Sequence, residues 1–209
     1  KEGSSSGYQA TFSPMVDIVR DPRWGRVIES YGEDTLLNGL FGAAMVRGYQ
    51  NSDLKEEDTL ISCVKHFAAY GAVEGGRDYN TVDISEYRLR NEYFPPYLEA
   101  IKAGAKLVMA SFNVLNGVPA TVNRWLLREI LRNEWMFDGT VISDWGAVKE
   151  VIPHGVAEDS RDAAELSLKA GIDIEMSTTA YFEALPELCK DKNMEKLLDE
   201  AVEKVLLLK

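Results

Sequence analysis

Histidine and cysteine are scarce in this 209-residue chain, two of each, and their scarcity excludes several chemistries. Cys63 and Cys189 have no metal-ligand spacing and read as reduced core thiols. His66 and His154 are too few to build a histidine metal site, so no metal and no cofactor is expected. No apolar run approaches the roughly 20 residues of a membrane span, and no basic segment with an apolar stretch resembles a secretion signal. A cationic stripe is missing too. The formal net charge is −11 and the basic residues are scattered, which argues against nucleic acid and against anionic membranes as partners. Nor does a Gly-rich phosphate loop follow any β-rich run: "GLFGAAMVRG" lies inside a helical stretch, and dinucleotide binding loses its main support.

The chain opens on Lys1 rather than Met, and "EKVLLLK" stops inside a helical pattern without Gly or Pro. Both ends read as cuts within a longer protein. The compartment therefore stays open: the cytoplasm is slightly favoured, and the periplasm or secretion remains open because the true N-terminus is not seen.

Hydrophobic residues make up 45% of the chain, enough for a sizeable core. They fall into a repeating order of β-rich run, loop and amphipathic helix. The β-rich runs are "ATFSPMV" from Ala10, "LISCVKHFA" from Leu60, "KLVMASF" from Lys106, "TVISDW" from Thr140 and "GIDIEMS" from Gly171. Start and stop signals predict helices after Asp34 closed by Gly48, after Ser85 closed by Gly104, and after Asn123 closed by Gly139. Pro95 and Pro96 predict a kink in the second. A fourth helix covers about Ser160 to Ala170, and paired helices from Tyr181 and Asn193 finish the chain.

This alternation implies a parallel α/β sheet covered by helices, either an eight-fold barrel or an open doubly wound sheet. Asp17, Lys65 with His66, Asn113, Asp144 and Glu175 all fall at the C-terminal ends of their runs, one set from every unit. That spread favours a (β/α)8 TIM-type barrel, whose site is assembled from all its βα loops. About five βα units are present, so the barrel is incomplete and about three units lie outside the chain. Residues 1–209 read as one partial domain.

Asp144, at the end of an apolar strand, is poorly solvated and needs donors or cations to stay ionised; Arg26, Lys65, His66 and Arg77 belong to loops on the same face. Capping of the following loop is the alternative role. A Lys beside a His at a strand end suits the vicinal hydroxyls of a polyol, and Trp145 offers an aromatic face of the kind that stacks on a sugar ring, or else joins the core. "RDPRWGRVIESYGED", residues 20 to 34, is composed like a functional loop, although Arg23 or Arg26 can simply brace it against Glu29, Glu33 or Asp34.

The motifs "FSPMVDIVRDPRWGR", "VKHFAAYG", "LVMASFNVLNGVPAT", "LLREILRNEWMFDGTVISDWGAV" and "AGIDIEMS", in that order, resemble glycoside hydrolase family 3, the β-glucosidase-like group, over essentially the whole chain. The resemblance implies the family's N-terminal barrel, a retaining exo-acting β-glycosidase acting on a β-linked oligosaccharide or glycoside, and Asp144 as nucleophile. It further implies that Arg26, Lys65, His66 and Arg77 hold hydroxyls of the terminal sugar with Trp145 as a wall. Phe112 falls where many members have Tyr, which removes a hydroxyl. "KHFAAYGAVEGGRD" lacks the second His and the loop of the family's N-acetylglucosaminidases, so the glucosidase-like branch is implied. His154 reads as a loop or helix-start residue.

Retention of configuration needs two carboxyl groups about 5 Å apart. Glu175, Glu74 and Asp78 are the candidates within the chain for the second, whereas the resemblance places it in a separate C-terminal domain of the full-length protein. Two other readings remain: a non-catalytic sugar-binding or structural fragment, and a metal-assisted barrel hydrolase using Asp17, His66 and Asp144.

Overall fold

A computed structural model describes residues 1–209. The first half contains α1 (Glu2–Ser5), β1 (Ala10–Thr11), α2 (Thr35–Gln50), β2 (Ile61–Phe67), β3 (Thr81–Val82), α3 (Glu86–Arg88) and α4 (Pro95–Lys102). The second contains β4 (Leu107–Ala110), β5 (Val114–Leu115), β6 (Val118–Pro119), β7 (Thr140–Ile142), α5 (Ala147–Glu150), α6 (Ser160–Ala170), α7 (Ala180–Leu188) and α8 (Lys192–Leu208).

The main sheet has the order β1-β2-β4-β7, every pair parallel. Each strand lies beside its successor along the chain, without the reversal that defines a doubly wound sheet, so the strands form part of a barrel wall. The fifth run contributes only Ile174, through one parallel bridge to Ile142. The first run is also thinner than its sequence suggests. Pro14 has no N–H to give the ladder, and pairing resumes with a single bridge from Met15 to Lys65.

Alternation along the strands sorts the side chains. Cys63, Leu107, Met109 and Ile142 form a small cluster on one face, while Val64, Val108, Ala110 and Val141 enter the large core under the helices. Both faces are apolar, which is why these strands read as continuous apolar runs. The same period of two carries Lys65 and Asp144 to the face of Cys63 and Ile142, at the C-terminal end of the sheet.

The helix starts follow the capping signals. Asp34 accepts from Leu37 N at 2.8 Å, Asn123 from Leu126 N at 3.0 Å, and Asp159 from Asp162 N at 2.9 Å. The stops are less regular. Gly48 does not close α2, which continues to Gln50 and is capped by Asn51 at φ 51°, a residue type that tolerates positive φ. After α3 a π-type turn spans Leu89–Tyr93 before α4 restarts with proline in its first turn, so the expected kink is real. The helix after Asn123 is π-type over Trp125–Glu134 and ends before Gly139. Gly139 answers a different need: a Cβ there would stand 2.4 Å from the Lys106 carbonyl oxygen. The three-stranded sheet β3-β5-β6 beside the wall is absent from the sequence reading.

Candidate active site

Two peptide segments set the floor of the site. In β2, one more residue separates Val64 from Phe67 than separates their partners Val108 and Ala110 in β4, so Lys65 and His66 sit in a bulge. Bulges of this kind re-aim side chains at a sheet's end. The Lys65–His66 and Phe67–Ala68 peptide bonds are cis. Beyond β7, residues 143 to 146 are stitched to the fifth run: Ser143 N donates to the Ile174 carbonyl at 2.9 Å, Gly146 N to the Met176 carbonyl at 3.0 Å, and Met176 N to Ser143 Oγ at 2.9 Å. Gly146 has φ +72°, which a side chain there would strain, and it begins α5.

Asp144 hangs from that stitched turn with 7% of its surface exposed. Its Oδ1 accepts the Trp145 N–H at 2.7 Å, while its Oδ2 is buried without a hydrogen-bond partner, 3.5 Å from His66 Nε2. Burial pushes this carboxyl up from the ordinary range; His66, the Trp145 N–H, Arg26 and Lys65 oppose it. Glu150 on α5 is also raised, first by burial and then by the charges of Asp144 and Asp78.

His66 is gripped from behind. Asp17, wholly buried, accepts from His66 N at 3.0 Å and pairs with His66 Nδ1 at 2.8 Å. The Tyr97 hydroxyl lies between Asp17 Oδ1 at 2.8 Å and the His66 carbonyl oxygen at 2.6 Å. Asp17 and Asp144 thus face opposite nitrogens of one ring, so the three residues do not converge on a common ion.

Arg26 donates to both oxygens of Glu29, at 2.6 and 2.9 Å, and stands 5.9 Å over the Tyr70 ring. That bidentate bond holds Glu29 below the usual carboxylate range, and Lys65 Nζ reaches the same carboxylate at 3.8 Å. Arg23 pairs with Asp21 instead. Both arginines therefore brace the loop, while Arg26 also lends charge to Asp144. Trp24 is buried against Tyr70 at 5.1 Å and donates Nε1–H to Asp78 at 3.0 Å. Gly76 permits the underlying turn: its φ is +66°, and a Cβ would lie 2.7 Å from Trp24 N.

Of the residues singled out in the sequence, Asp144, His66, Lys65 and Arg26 come together. Arg77 does not join them; its side chain is exposed, makes no ion pair, and is absent from the charges acting on Asp144. Trp145 is 71% exposed beside the nucleophile candidate, so the core alternative is excluded. Phe112 is buried, edge-on to Tyr79 at 4.7 Å. Glu175 caps α7, accepting from Ala180 N at 3.0 Å and Tyr181 N at 2.7 Å and from the Thr178 hydroxyl. His154 lies in the turn after α5, where burial lowers its imidazole. The sequence reading gave no task to Tyr97 or Tyr70, and Glu29 is the brace for Arg26 that it offered. Nothing marks Tyr97 among core aromatics, whereas Asp17 carried a signal: an acid inside the apolar run "MVDIV".

The sequence model of the glycosyl hydrolase family 3 N terminal domain matches residues 1–208. The chain belongs to glycosyl hydrolase family 3. It is 48% identical over 209 residues to the periplasmic beta-glucosidase of Salmonella typhimurium, covering all of this chain and 27% of that protein. It is 36% identical to a beta-xylosidase of Formosa agariphila, covering 100% of this chain and 31% of the other. Among solved structures, the beta-glucosidase from Listeria innocua superposes with a TM-score of 0.97 at 54% identity, over 99% of this chain and 29% of that one. The same enzyme has been solved in complex with isofagomine and with glucose, and a mutant of it with laminaribiose. The family 3 fold is therefore a (β/α)8 barrel domain of which this chain is a segment, and it spans less than a third of the relatives it matches.

Proposed function

We propose that this chain carries the nucleophile and most of the terminal-sugar subsite of a retaining, exo-acting β-glycosidase of the β-glucosidase type. One observation carries the reading: Asp144 presents a buried carboxylate with an unpartnered oxygen, held among His66, Arg26 and Lys65 at the mouth of the sheet. An ionised carboxylate with a free lone pair in a dry, cation-lined pocket is what attack on an anomeric carbon requires.

In the first step an Asp144 oxygen bonds to the anomeric carbon from the face opposite the leaving group. The carbon–oxygen bond to the aglycone breaks, its electron pair stays on that oxygen, and a general acid protonates it. Water, deprotonated by the conjugate base of that acid, then attacks the same carbon and releases Asp144 with the configuration retained. Lys65 and Trp145 stand at the rim, where a sugar's hydroxyls and apolar face would meet them.

The general acid comes from the part of the polypeptide beyond this segment. Of the candidates within the chain, Glu175 caps α7 and Asp78 holds Trp24, while Glu74 is exposed on the loop after Lys65 and is not among the charges acting on Asp144. Names of the relatives support a glucoside or xyloside rather than an N-acetylglucosaminide substrate.

The test is a 2-deoxy-2-fluoro glycoside with an activated leaving group, applied to the full-length protein and followed by peptide mass spectrometry. Asp144 acquires the label, and Asp144→Ala lowers kcat on the order of 10³-fold or more. Label on another residue, or full activity in Asp144→Ala, excludes the assignment.

A further inference from the structure

Asp17 is wholly buried, lies outside the sugar-facing set, and is not consumed by the proposed chemistry. Its carboxylate can only accept, so the Nδ1 contact at 2.8 Å requires the His66 proton on Nδ1. The backbone N–H of His66 is fixed to the same oxygen at 3.0 Å, and the Tyr97 hydroxyl bridges the other oxygen and the His66 carbonyl. Ring, backbone N–H and backbone carbonyl of His66 are thus all tied to one Asp17–Tyr97 unit. Tyr70 closes the ring's remaining side edge-on at 5.3 Å. Only Nε2 is left unassigned, and it faces the orphan oxygen of Asp144 at 3.5 Å.

We infer that Asp17, braced by Tyr97, is a positioning residue that acts through His66: it fixes the ring's tautomer and direction so that Nε2 alone serves Asp144 and the sugar hydroxyl that arrives beside it. Other charged groups around the ring are the Asp144 carboxylate ahead of it and Glu29, Lys65 and Arg26 at the rim. None of them reaches Nδ1. An amide at position 17 keeps its oxygen on both His66 donors, because an NH2 in that place would face the backbone N–H 3.0 Å away. The substitution therefore keeps the shape of the site and removes the negative charge behind the ring, so a neutral acceptor holds Nδ1–H less strongly and Nε2 serves Asp144 less well.

The inference rests on Asp144 being the nucleophile. In the full-length protein, the rate of Asp144 labelling by the fluoroglycoside is compared for wild type, Asp17→Asn and Tyr97→Phe, per folded molecule as counted by circular dichroism and the unfolding transition. Asp17→Asn is expected to slow labelling about 10- to 100-fold. It also displaces the acidic limb of the pH profile, while competitive inhibition by glucose changes by only a few-fold. Tyr97→Phe, which removes one hydroxyl and keeps the carboxylate, slows labelling by a smaller factor in the same direction. Should Asp17→Asn fail to fold, Tyr97→Phe alone decides. Wild-type labelling rates and an unmoved pH profile in the folded variants overturn the inference, because a purely structural role would lower yield without touching either. Labelling of a residue other than Asp144 in the wild type refutes the proposed function instead, and the role of Asp17 falls with it.

Discussion

Lys65 and Arg26 help Asp144 to ionise although it is buried. Burial raises the carboxyl, and His66, the Trp145 N–H, Arg26 and Lys65 oppose it, so removing either cation leaves the burial less compensated. Lys65→Met is therefore expected to move the acidic limb of kcat/KM to higher pH, because the nucleophile must lose its proton before it can attack; an unchanged limb in pH–rate measurements contradicts this. Trp145 makes the converse case. With 71% of its surface exposed it contributes little to packing, and Trp145→Ala should leave the unfolding free energy within about 0.5 kcal/mol of wild type while KM for the glycoside rises. A loss of stability measured by denaturant titration would place the indole in the core after all. At this scale the sequence was legible where a polar residue interrupts an apolar run, as at Asp17, Lys65 and Asp144. It was not legible for Arg77 or Tyr97, whose position depends on how a loop or a helix face turns, and no local pattern encodes that.

Between elements, the interaction with the largest stake is the buried pair of Arg132 and Asp173, 2.6 Å apart. Arg132, on the π-type segment, also donates to the carbonyls of Phe137 and Gly139, and Asp173 accepts from Val141 N at 2.7 Å, so one pair ties a helix, a loop and β7 together. Burial pushes Asp173 up to about 6 against the pull of Arg132. A carboxyl that is easier to protonate folded than unfolded contributes stability fully below its unfolded value near 4, and that contribution is lost as pH rises through about 6. Asp173→Ala leaves Arg132 charged and alone, with an expected loss of about 3–5 kcal/mol and a flatter dependence of the melting temperature on pH between those values. Calorimetry across that range checks both signs. Helix starts were readable because a capping side chain acts within its own turn, as Asp34, Ser85 and Asn123 do. The bulge at Lys65 and the β3-β5-β6 sheet were not, since each is defined by a partner strand far away in the chain.

For the whole molecule, the sequential order β1-β2-β4-β7 makes the chain a sector of a barrel wall, with one proposed nucleophile and with Glu175 and Asp78, two candidates for the second carboxyl, bonded elsewhere. The 209-residue segment, purified alone, is accordingly expected to give no turnover of an aryl β-glucoside under conditions where the full-length protein is active. Turnover by the segment would return the general acid to it, and Glu150, raised by burial near Asp144, would be the first residue to replace. Barrel type was legible because polar residues end every apolar run; how thin the outermost strands are was not, because β1 and the Ile174 bridge depend on hydrogen bonds that composition does not report.

The stitching of residues 143 to 146 to the fifth run has an evolutionary consequence. Of its three bonds, two join backbone groups and the third joins the Ser143 hydroxyl to a backbone N–H, so no side chain of residues 174 to 176 takes part. Side-chain changes at Ile174 and Met176 therefore leave those bonds in place and the proposed nucleophile where it is, whereas Glu175 is held by its cap on α7. Proline at 176 is the excluded change, since it alone would remove the N–H that Ser143 holds.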